Sequence, residues 1–266
     1  MTNQIVLYDA MSYLRVRLET EKPQDVLRGA LNETQNPYGM RIWVWDGIGG
    51  NAKRRAIFPP YKTSREKKPG VMQAMDFIRE LIGLTNAWQI RLPGFEGDDV
   101  VAALTHHFFQ TTNLPISIQC RDADLAALCA LDPRRITCSH AVKIPYHDIP
   151  LYKLTFGDNS DDIPGIKGFG QKGWDACDRA GLGKLIYELI DQRRPLQPHE
   201  RERALAVGLR PGSCTWLESQ ENIDALGAMK RCIDPLPIDM ALIDEHLKQG
   251  ENDWAAINAK LAEFML

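Results

Sequence analysis

The chain has 266 residues, 44% of them hydrophobic and 25% charged, with a net charge of −3. These are ordinary globular values, and the length suits one α/β domain with a smaller appendage. No apolar run nears the ~20 residues of a membrane helix, so no membrane association is expected. In chain order, Ile5-Val6-Leu7-Tyr8 is a short continuous apolar run, the pattern of a strand buried on both faces of a parallel sheet, and it ends in Asp9. No basic segment precedes it, so no signal peptide is expected. Ile42-Trp43-Val44-Trp45 repeats the pattern and ends in Asp46-Gly47. Between Lys53 and Lys68 seven basic residues (Lys53, Arg54, Arg55, Lys62, Arg65, Lys67, Lys68) meet one acid, Glu66. Apolar residues at 71, 74, 75, 78, 81 and 82 predict a helix over 71–84, and Val100, Leu104 and Phe108 predict another starting near Glu96. Ile116-Ser117-Ile118 is a third strand, with Asp122 and Asp124 shortly after it. Strand–helix alternation of this kind predicts a mostly parallel sheet flanked by helices.

In such sheets ligands bind in the crevice at the carboxyl ends of the strands. Three strands here each deliver carboxylates to that edge: Asp9, Asp46, and Asp122 with Asp124. Glu96, Asp98 and Asp99 open the helix after Pro93-Gly94. Acids there can cap free N–H groups and complement the helix dipole. That accounts for one or two of the three, because consecutive helical residues point about 100° apart. Converging carboxylates cannot all ionise at close range, and divalent cations resolve the repulsion. An all-oxygen donor set suits Mg²⁺ or Mn²⁺ rather than zinc, and the six histidines (106, 107, 140, 147, 199, 246) show no metal-ligand spacing. So many acids exceed the need of one ion. Two ions can clamp the attacking and leaving oxygens of a phosphodiester, which points to phosphoryl hydrolysis. The six cysteines include no C-x-x-C pair and are expected to be free thiols in a reducing, cytoplasmic compartment.

The stretch from Gly157 to Lys172 is the most informative. Its Gly168-Phe169-Gly170-Gln171-Lys172-Gly173 formally matches G-x-G-x-x-G, but no strand precedes it and it lies far beyond a first βα unit, where a dinucleotide fingerprint belongs. The alternative is a tight turn between two helices whose backbone N–H groups hold DNA phosphates, with Lys167 and Lys172 adding charge. Beyond it the chain reads as helical over 174–180, 182–194, 200–206, 216–231, 240–247 and 254–264, with Gly181 and Gly183 as helix stops.

The Gly157–Lys172 segment resembles the helix–three-turn–helix of the flap endonuclease/5′→3′ exonuclease (5′ nuclease) family, and the likeness extends backwards. Leu7-Tyr8-Asp9 through Arg15 resembles the family's first metal motif and Trp45-Asp46-Gly47 the second. Arg55 through Pro60-Tyr61-Lys62 and Arg65 resembles the stretch at the base of the helical arch, Glu96-Gly97-Asp98-Asp99 the E-A-D-D motif, and Asp122-Ala123-Asp124 the D-x-D. The resemblance implies a PIN-like 5′ nuclease fold. An α/β nuclease domain would span 1–150, with a basic arch at about 47–80, and a helical DNA-binding region 151–266. It implies one metal cluster of Asp9, Asp46, Glu96, Asp98 and Asp99 and a second of Asp122, Asp124, Asp158 and Asp161. Lys62 and Arg65 would act on the scissile phosphate, Tyr61 would stack on a terminal base, and Arg55, Lys67, Lys167, Gly168, Gly170 and Lys172 would contact DNA, with a K⁺ ion at the hairpin. The implied activity is two-metal, structure-specific cleavage at 5′ ends, flaps or branches, leaving 5′-phosphate, in replication, repair or primer removal. A monomer acting on DNA or an RNA–DNA hybrid is expected, in the host cytoplasm if the enzyme is of the tailed-phage type that its length and Gly97 suggest.

Four departures accompany the likeness: Cys120 where Ser or Thr is common, Gly97 for Ala, Asp162 for Asn, and Gly173-Trp174 for Thr-Ala. Two other readings stay open at this point. A non-catalytic DNA binder of the same fold has no use for so much negative charge facing phosphate. A PIN-type ribonuclease shares the sheet and acids but normally lacks the glycine-rich hairpin.

Overall fold

The structure, a computed structural model, describes residues 3–35, 39–65 and 68–264. In chain order it contains β1 (Ile5–Asp9), α1 (Ala10–Thr20), α2 (Pro23–Gln35), β2 (Met40–Trp45), α3 (Ala52–Ile57), α4 (Pro69–Gly83), β3 (Trp88–Arg91), α5 (Gly97–Thr111), β4 (Ile116–Gln119), α6 (Ala123–Ala126) and β5 (Ile136–Cys138). Then follow α7 (Ile149–Phe156), α8 (Gln171–Ala176), α9 (Arg179–Asp191), α10 (Arg201–Ala206), α11 (Pro211–Leu217), α12 (Gln220–Ile233), α13 (Met240–His246), β6 (Lys248–Gln249) and α14 (Trp254–Phe264). The chain divides into two compact units, Met1–Gly50 with Glu66–Tyr146 and Leu236–Leu266, and Asn51–Arg65 with His147–Pro235.

The first unit is built on a sheet of order β5-β4-β1-β2-β3-β6, parallel except for β6 against β3. Side chains alternate across a strand, and both faces are apolar here because both are covered. Ile5, Leu7, Ile42 and Val44 join Val100, Val101 and Leu104 of α5 on one face. Val6, Tyr8, Trp43 and Trp45 join residues of α1, α2 and α4 on the other. From β1 the chain steps outward to β2 and β3, then returns to lay β4 on the opposite side of β1. That reversal makes the carboxyl ends of β1 and β4 the topological switch point, where such sheets open a crevice.

The helical second unit packs α12 against α3, α7 and α9. Its core includes Leu151, Leu154, Leu185, Ile186, Leu189, Ile223 and Leu226. Arg54 of α3, only 2% exposed, donates to the carbonyls of Cys232 (2.8 Å) and Asp234 (3.4 Å). A cation there satisfies carbonyls at the end of α12 and complements its dipole.

Three expectations change. The strands β3, β5 and β6 are not among the expected ones: β5 and β6, three and two residues long, are too short to display a period, whereas β3 alternates Trp88-Gln89-Ile90-Arg91 much as β4 does. Gly181 and Gly183 do not stop a helix: both lie inside α9, where Asp178 accepts from Gly181 N–H at 3.1 Å. A Cβ at Gly181 would come within 2.3 Å of Asp178 Oδ2 and 2.8 Å of Val207 Cγ1, so this glycine serves close packing. The helix expected over 216–231 is two, with Leu217 ending α11 and Ser219 preceding α12 in extended conformation.

Trp43 is fully buried and stacks on Tyr8 at 4.1 Å between centroids. Trp43→Ala is expected to cost about 3–5 kcal/mol in urea denaturation; a loss below ~1 kcal/mol would contradict this packing.

Candidate functional site

In the first unit the acids are held by local structure. Asp9 ends β1 and caps α1, accepting from Ser12 N–H (3.3 Å) and Ser12 Oγ–H (2.6 Å). Asp46 follows β2, and its Oδ1 accepts from Gly97 N–H at 2.7 Å. A Cβ on Gly97 would lie 3.2 Å from Asp46 Oδ1 and 3.6 Å from Asp9 Oδ1, so both carboxylates flank this one residue. The Asp46-Gly47 turn presses on the loop before α5: a Cβ on Gly47 would lie 1.7 Å from the Leu92 carbonyl, which leaves room only for glycine. Beyond β4, Asp122 caps α6, its Oδ1 accepting from Asp124 N–H (3.0 Å), and Asp124 sits half-buried in the first turn.

These groups share one electrostatic environment. Asp9 is 6% exposed. Its carboxyl is pushed up to about 8, by burial first and then by the charges of Asp98 and Asp46; the Ser12 hydrogen bond opposes the shift and Asp122 adds to it. The three acids at the head of α5 divide their roles. Asp98 is felt at Asp9. Asp99, fully buried, accepts from Glu96 N–H (3.2 Å) and Leu236 N–H (2.8 Å) and forms a capping box with Glu96. An all-oxygen set of like charges, in which burial and the neighbouring acids raise the Asp9 carboxyl, fits a hard divalent cation.

In the second unit the 157–165 loop closes tightly. Gly157 and Ile163 bracket it, with Asp158 and Ile163 exchanging backbone hydrogen bonds (2.7 and 2.9 Å). Gly157 (φ +98°) and Gly165 (φ +69°) touch backbone to backbone: a Cβ on Gly165 would lie 2.5 Å from Gly157 N. This brings the loop's acids onto buried cations. Burial disfavours ionised Asp158, but Lys153 Nζ at 2.6 Å and the Ser160 hydrogen bonds outweigh it and hold its carboxyl below the usual range. Asp161 is 5% exposed, and burial keeps its carboxyl raised despite Lys62 Nζ at 3.9 Å and Arg65 at 2.8 Å.

Lys62 has φ +53°, a conformation lysine rarely adopts. It is held there by its N–H to the Asp161 carbonyl (3.1 Å), and by Arg55, which donates to the carbonyls of Tyr61 (3.0 Å) and Lys62 (2.8 Å). Tyr61 is 1% exposed, its hydroxyl donating to Asp161 Oδ2 (3.4 Å) and its ring 4.8 Å from Lys62 Nζ. Its ring is therefore enclosed by protein in this structure, and Arg55 is turned to backbone carbonyls. Asp162 (φ +57°) accepts from Ser64 N–H at 2.9 Å, tying the 61–65 segment to the loop. In the hairpin, Lys167, Gly168, Gly170 and Lys172 are exposed while Ile166 and Phe169 are buried anchors. Gly168 takes φ +80° and Gly170 precedes α8. Lys67 lies outside the described residues.

Residues 22–147 match the family model for the 5′-3′ exonuclease N-terminal resolvase-like domain. The 5′-3′ exonuclease of Aquifex aeolicus is 31% identical over 132 residues, 45% of this chain and 45% of that protein. The 5′-3′ exonuclease of Halalkalibacterium halodurans is 24% identical over 178 residues, 61% of this chain and 59% of that one. Over this segment the chain is similar to the N-terminal domain of 5′-3′ exonucleases. It spans about half the length of these relatives. Among solved structures, the bacteriophage T5 flap endonuclease, in a complex with DNA and metal ions, superposes with a TM-score of 0.51 at 13% identity, covering 91% of this chain and all (100%) of that one. The T5 5′-exonuclease with zinc bound gives 0.50 at 14%, over 87% and 98%. At that identity the likeness speaks for the fold: the mostly parallel sheet flanked by helices that the sequence predicts.

Two of this chain's departures from the family pattern it resembles have local explanations. Gly97 lies between two carboxylates, and Asp162 takes a left-handed conformation that Asn and Asp tolerate better than most residues. Lys153 was missed in the sequence. Its signal is a single cation in the middle of the apolar run Ile149–Phe156, where a lysine is buried only with a partner.

A raised carboxyl pKa stabilises the fold fully below the unfolded value near 4, and that contribution is lost as pH climbs through the folded value of about 8. The metal-free protein should therefore lose urea stability between pH 5 and 8 more steeply than Asp9→Asn, which keeps the cap, by up to about 1.4 kcal/mol per pH unit. Parallel pH profiles for the two proteins would contradict the burial and repulsion assigned to Asp9.

Proposed function

We propose that this protein is a structure-specific 5′ nuclease that hydrolyses DNA phosphodiester bonds with divalent metal ions. The observation that carries this reading is the buried Asp9 at the switch-point edge, in the field of Asp98, Asp46 and Asp122. Asp9, Asp46, Glu96 and Asp98 would hold one ion, with Asp99 supporting it through Glu96, and the family resemblance would give Asp122, Asp124, Asp158 and Asp161 to a second set. Mg²⁺ or Mn²⁺ suits these oxygens best. Bound there, the ions supply charge neutralisation and an activated water. The buried acids fix the donor oxygens in advance. Lys62, held by Arg55 and Asp161, presents an ammonium where phosphate charge develops, and Arg65 assists it.

The stretch before residue 150 would carry most of the metal ligands together with Lys62, and the stretch after it Asp158, Asp161 and the grip on DNA. Lys167, Gly168, Gly170 and Lys172 offer exposed backbone and charge to a phosphate backbone, with shape rather than sequence recognised and K⁺ as a further ligand of the turn. Tyr61 and Arg55 contribute by positioning Lys62. Lys67 adds to the basic 53–68 segment. The T5 flap endonuclease's complex with DNA and metal ions supports DNA as the substrate and a phage-type enzyme. The products would carry 5′-phosphate, and a monomer acting in the cytoplasm, on RNA–DNA hybrids as well as DNA, fits a role in replication or primer removal.

Cleavage of a 5′-flap duplex should occur with Mg²⁺ or Mn²⁺ and stop with EDTA; equal cleavage in both overturns the metal mechanism, and preference for a matched RNA flap overturns the DNA assignment. Lys62→Ala should lower turnover about 100-fold or more with DNA affinity nearly unchanged. Lost affinity with normal turnover would move Lys62 from chemistry to binding.

A further inference from the structure

Cys120 and Cys138 stand with their sulfurs 3.3 Å apart in the first unit. They come from neighbouring parallel strands: Cys138 ends β5, opposite Ile118 of β4, and Cys120 follows the end of β4. Ser139 fixes their backbones together, its Oγ accepting from Cys120 N–H and donating to the Cys120 carbonyl, both at 2.9 Å. A disulfide needs its sulfurs at ~2.05 Å, so the two must close by roughly a further 1.2 Å. Cys120 is fully buried, while Cys138 is partly exposed and open to a small oxidant. The Cys120 thiol also reaches the carbonyl of Asp122 at 3.4 Å, and the Arg121 N–H between them donates to Ser12 Oγ (3.1 Å), the hydroxyl that itself donates to Asp9. One short turn thus joins this thiol pair to the acids at the sheet edge.

We propose that Cys120 and Cys138 form a reversible disulfide that draws the Cys120–Asp124 turn toward β5 and weakens divalent-metal binding at the acid cluster. The metal half of this statement rests on the metal-dependent reading above; the disulfide half does not. With a peroxide as oxidant, the Cys138 sulfur attacks one peroxide oxygen, the O–O bond breaks, and a sulfenic acid and water form. The Cys120 sulfur then attacks the sulfenic sulfur and expels a second water. Two thiols and one hydrogen peroxide give one disulfide and two waters, and a dithiol reductant reverses the change.

The test treats the full-length protein with hydrogen peroxide, desalts it, and then counts free thiols, maps the bridge by peptide mass, and titrates Mn²⁺ calorimetrically, before and after dithiothreitol. Expected are a fall from six free thiols to four, a Cys120–Cys138 bridge, and Mn²⁺ binding weakened at least about tenfold and restored by the reductant. Cys138→Ser should bind Mn²⁺ normally and be indifferent to peroxide. No bridge, or a bridge from Cys138 to Cys129, overturns the pairing. A Cys120–Cys138 bridge with unchanged Mn²⁺ affinity overturns its effect on the metal. Failure of the nuclease reading is distinguishable, because it appears as absent Mn²⁺ binding or flap cleavage in the reduced protein.

Discussion

Carboxyl groups brought together inside a protein repel, and this repulsion organises the sheet edge of the first unit. The groups cannot relax by swinging apart. Asp9 is tied to Ser12 at the start of α1, Asp46 to Gly97 N–H, and Asp122 to the head of α6. Each tie is an ordinary cap or turn hydrogen bond, so local folding builds the cluster as a by-product of starting helices at the ends of strands. What remains is to neutralise the charge. In the absence of a cation the protein does so by keeping a proton on Asp9, whose carboxyl is pushed up to about 8. A divalent ion would replace that proton and reverse the balance.

The second unit meets the same problem with lysine and arginine. Lys153 lies on Asp158, and Lys62 and Arg65 lie on Asp161. Burying such pairs costs desolvation that is recovered only with good geometry, and the Gly157–Gly165 contact supplies the close turn that makes the geometry possible. The cost is tolerated where charge is needed for use. Lys62 in a left-handed conformation, with its own and the Tyr61 carbonyl bonded to Arg55, is backbone strain held by its surroundings; in the proposed nuclease it would aim a cation at the phosphate.

The parts of this design legible in the sequence were those with a periodic or punctuated signal. The apolar runs ending in Asp9 and Asp46 mark β1 and β2, and their carboxyl-end position is enough to place both acids at the sheet edge. The helices α4 and α5 follow from spacing. The three-residue β5 is too short to show a period, while β3 alternates as β4 does but follows directly on the apolar pattern of α4, which masks it. Nor could local pattern tell that Asp99 turns inward to Leu236 N–H while Asp98 faces Asp9: that contact joins residues 137 apart in the chain. Gly181 and Gly183 misled for a related reason, since glycine marks a helix end and a close packing contact with the same letter. Tyr61 offers aromatic surface in sequence and an enclosed ring in the fold.

Proton exchange at Asp9 gives the most direct measure of the central claim, that a buried acid cluster holds a proton until a cation arrives. Mn²⁺ binding to the metal-free protein can be followed by calorimetry at pH 7 in buffers of different ionisation enthalpy, which yields the number of protons released. Release of close to one proton per protein is expected in the wild type, falling away above pH 9 and absent in Asp9→Asn. Mn²⁺ binding with no proton released at pH 7 would contradict the account.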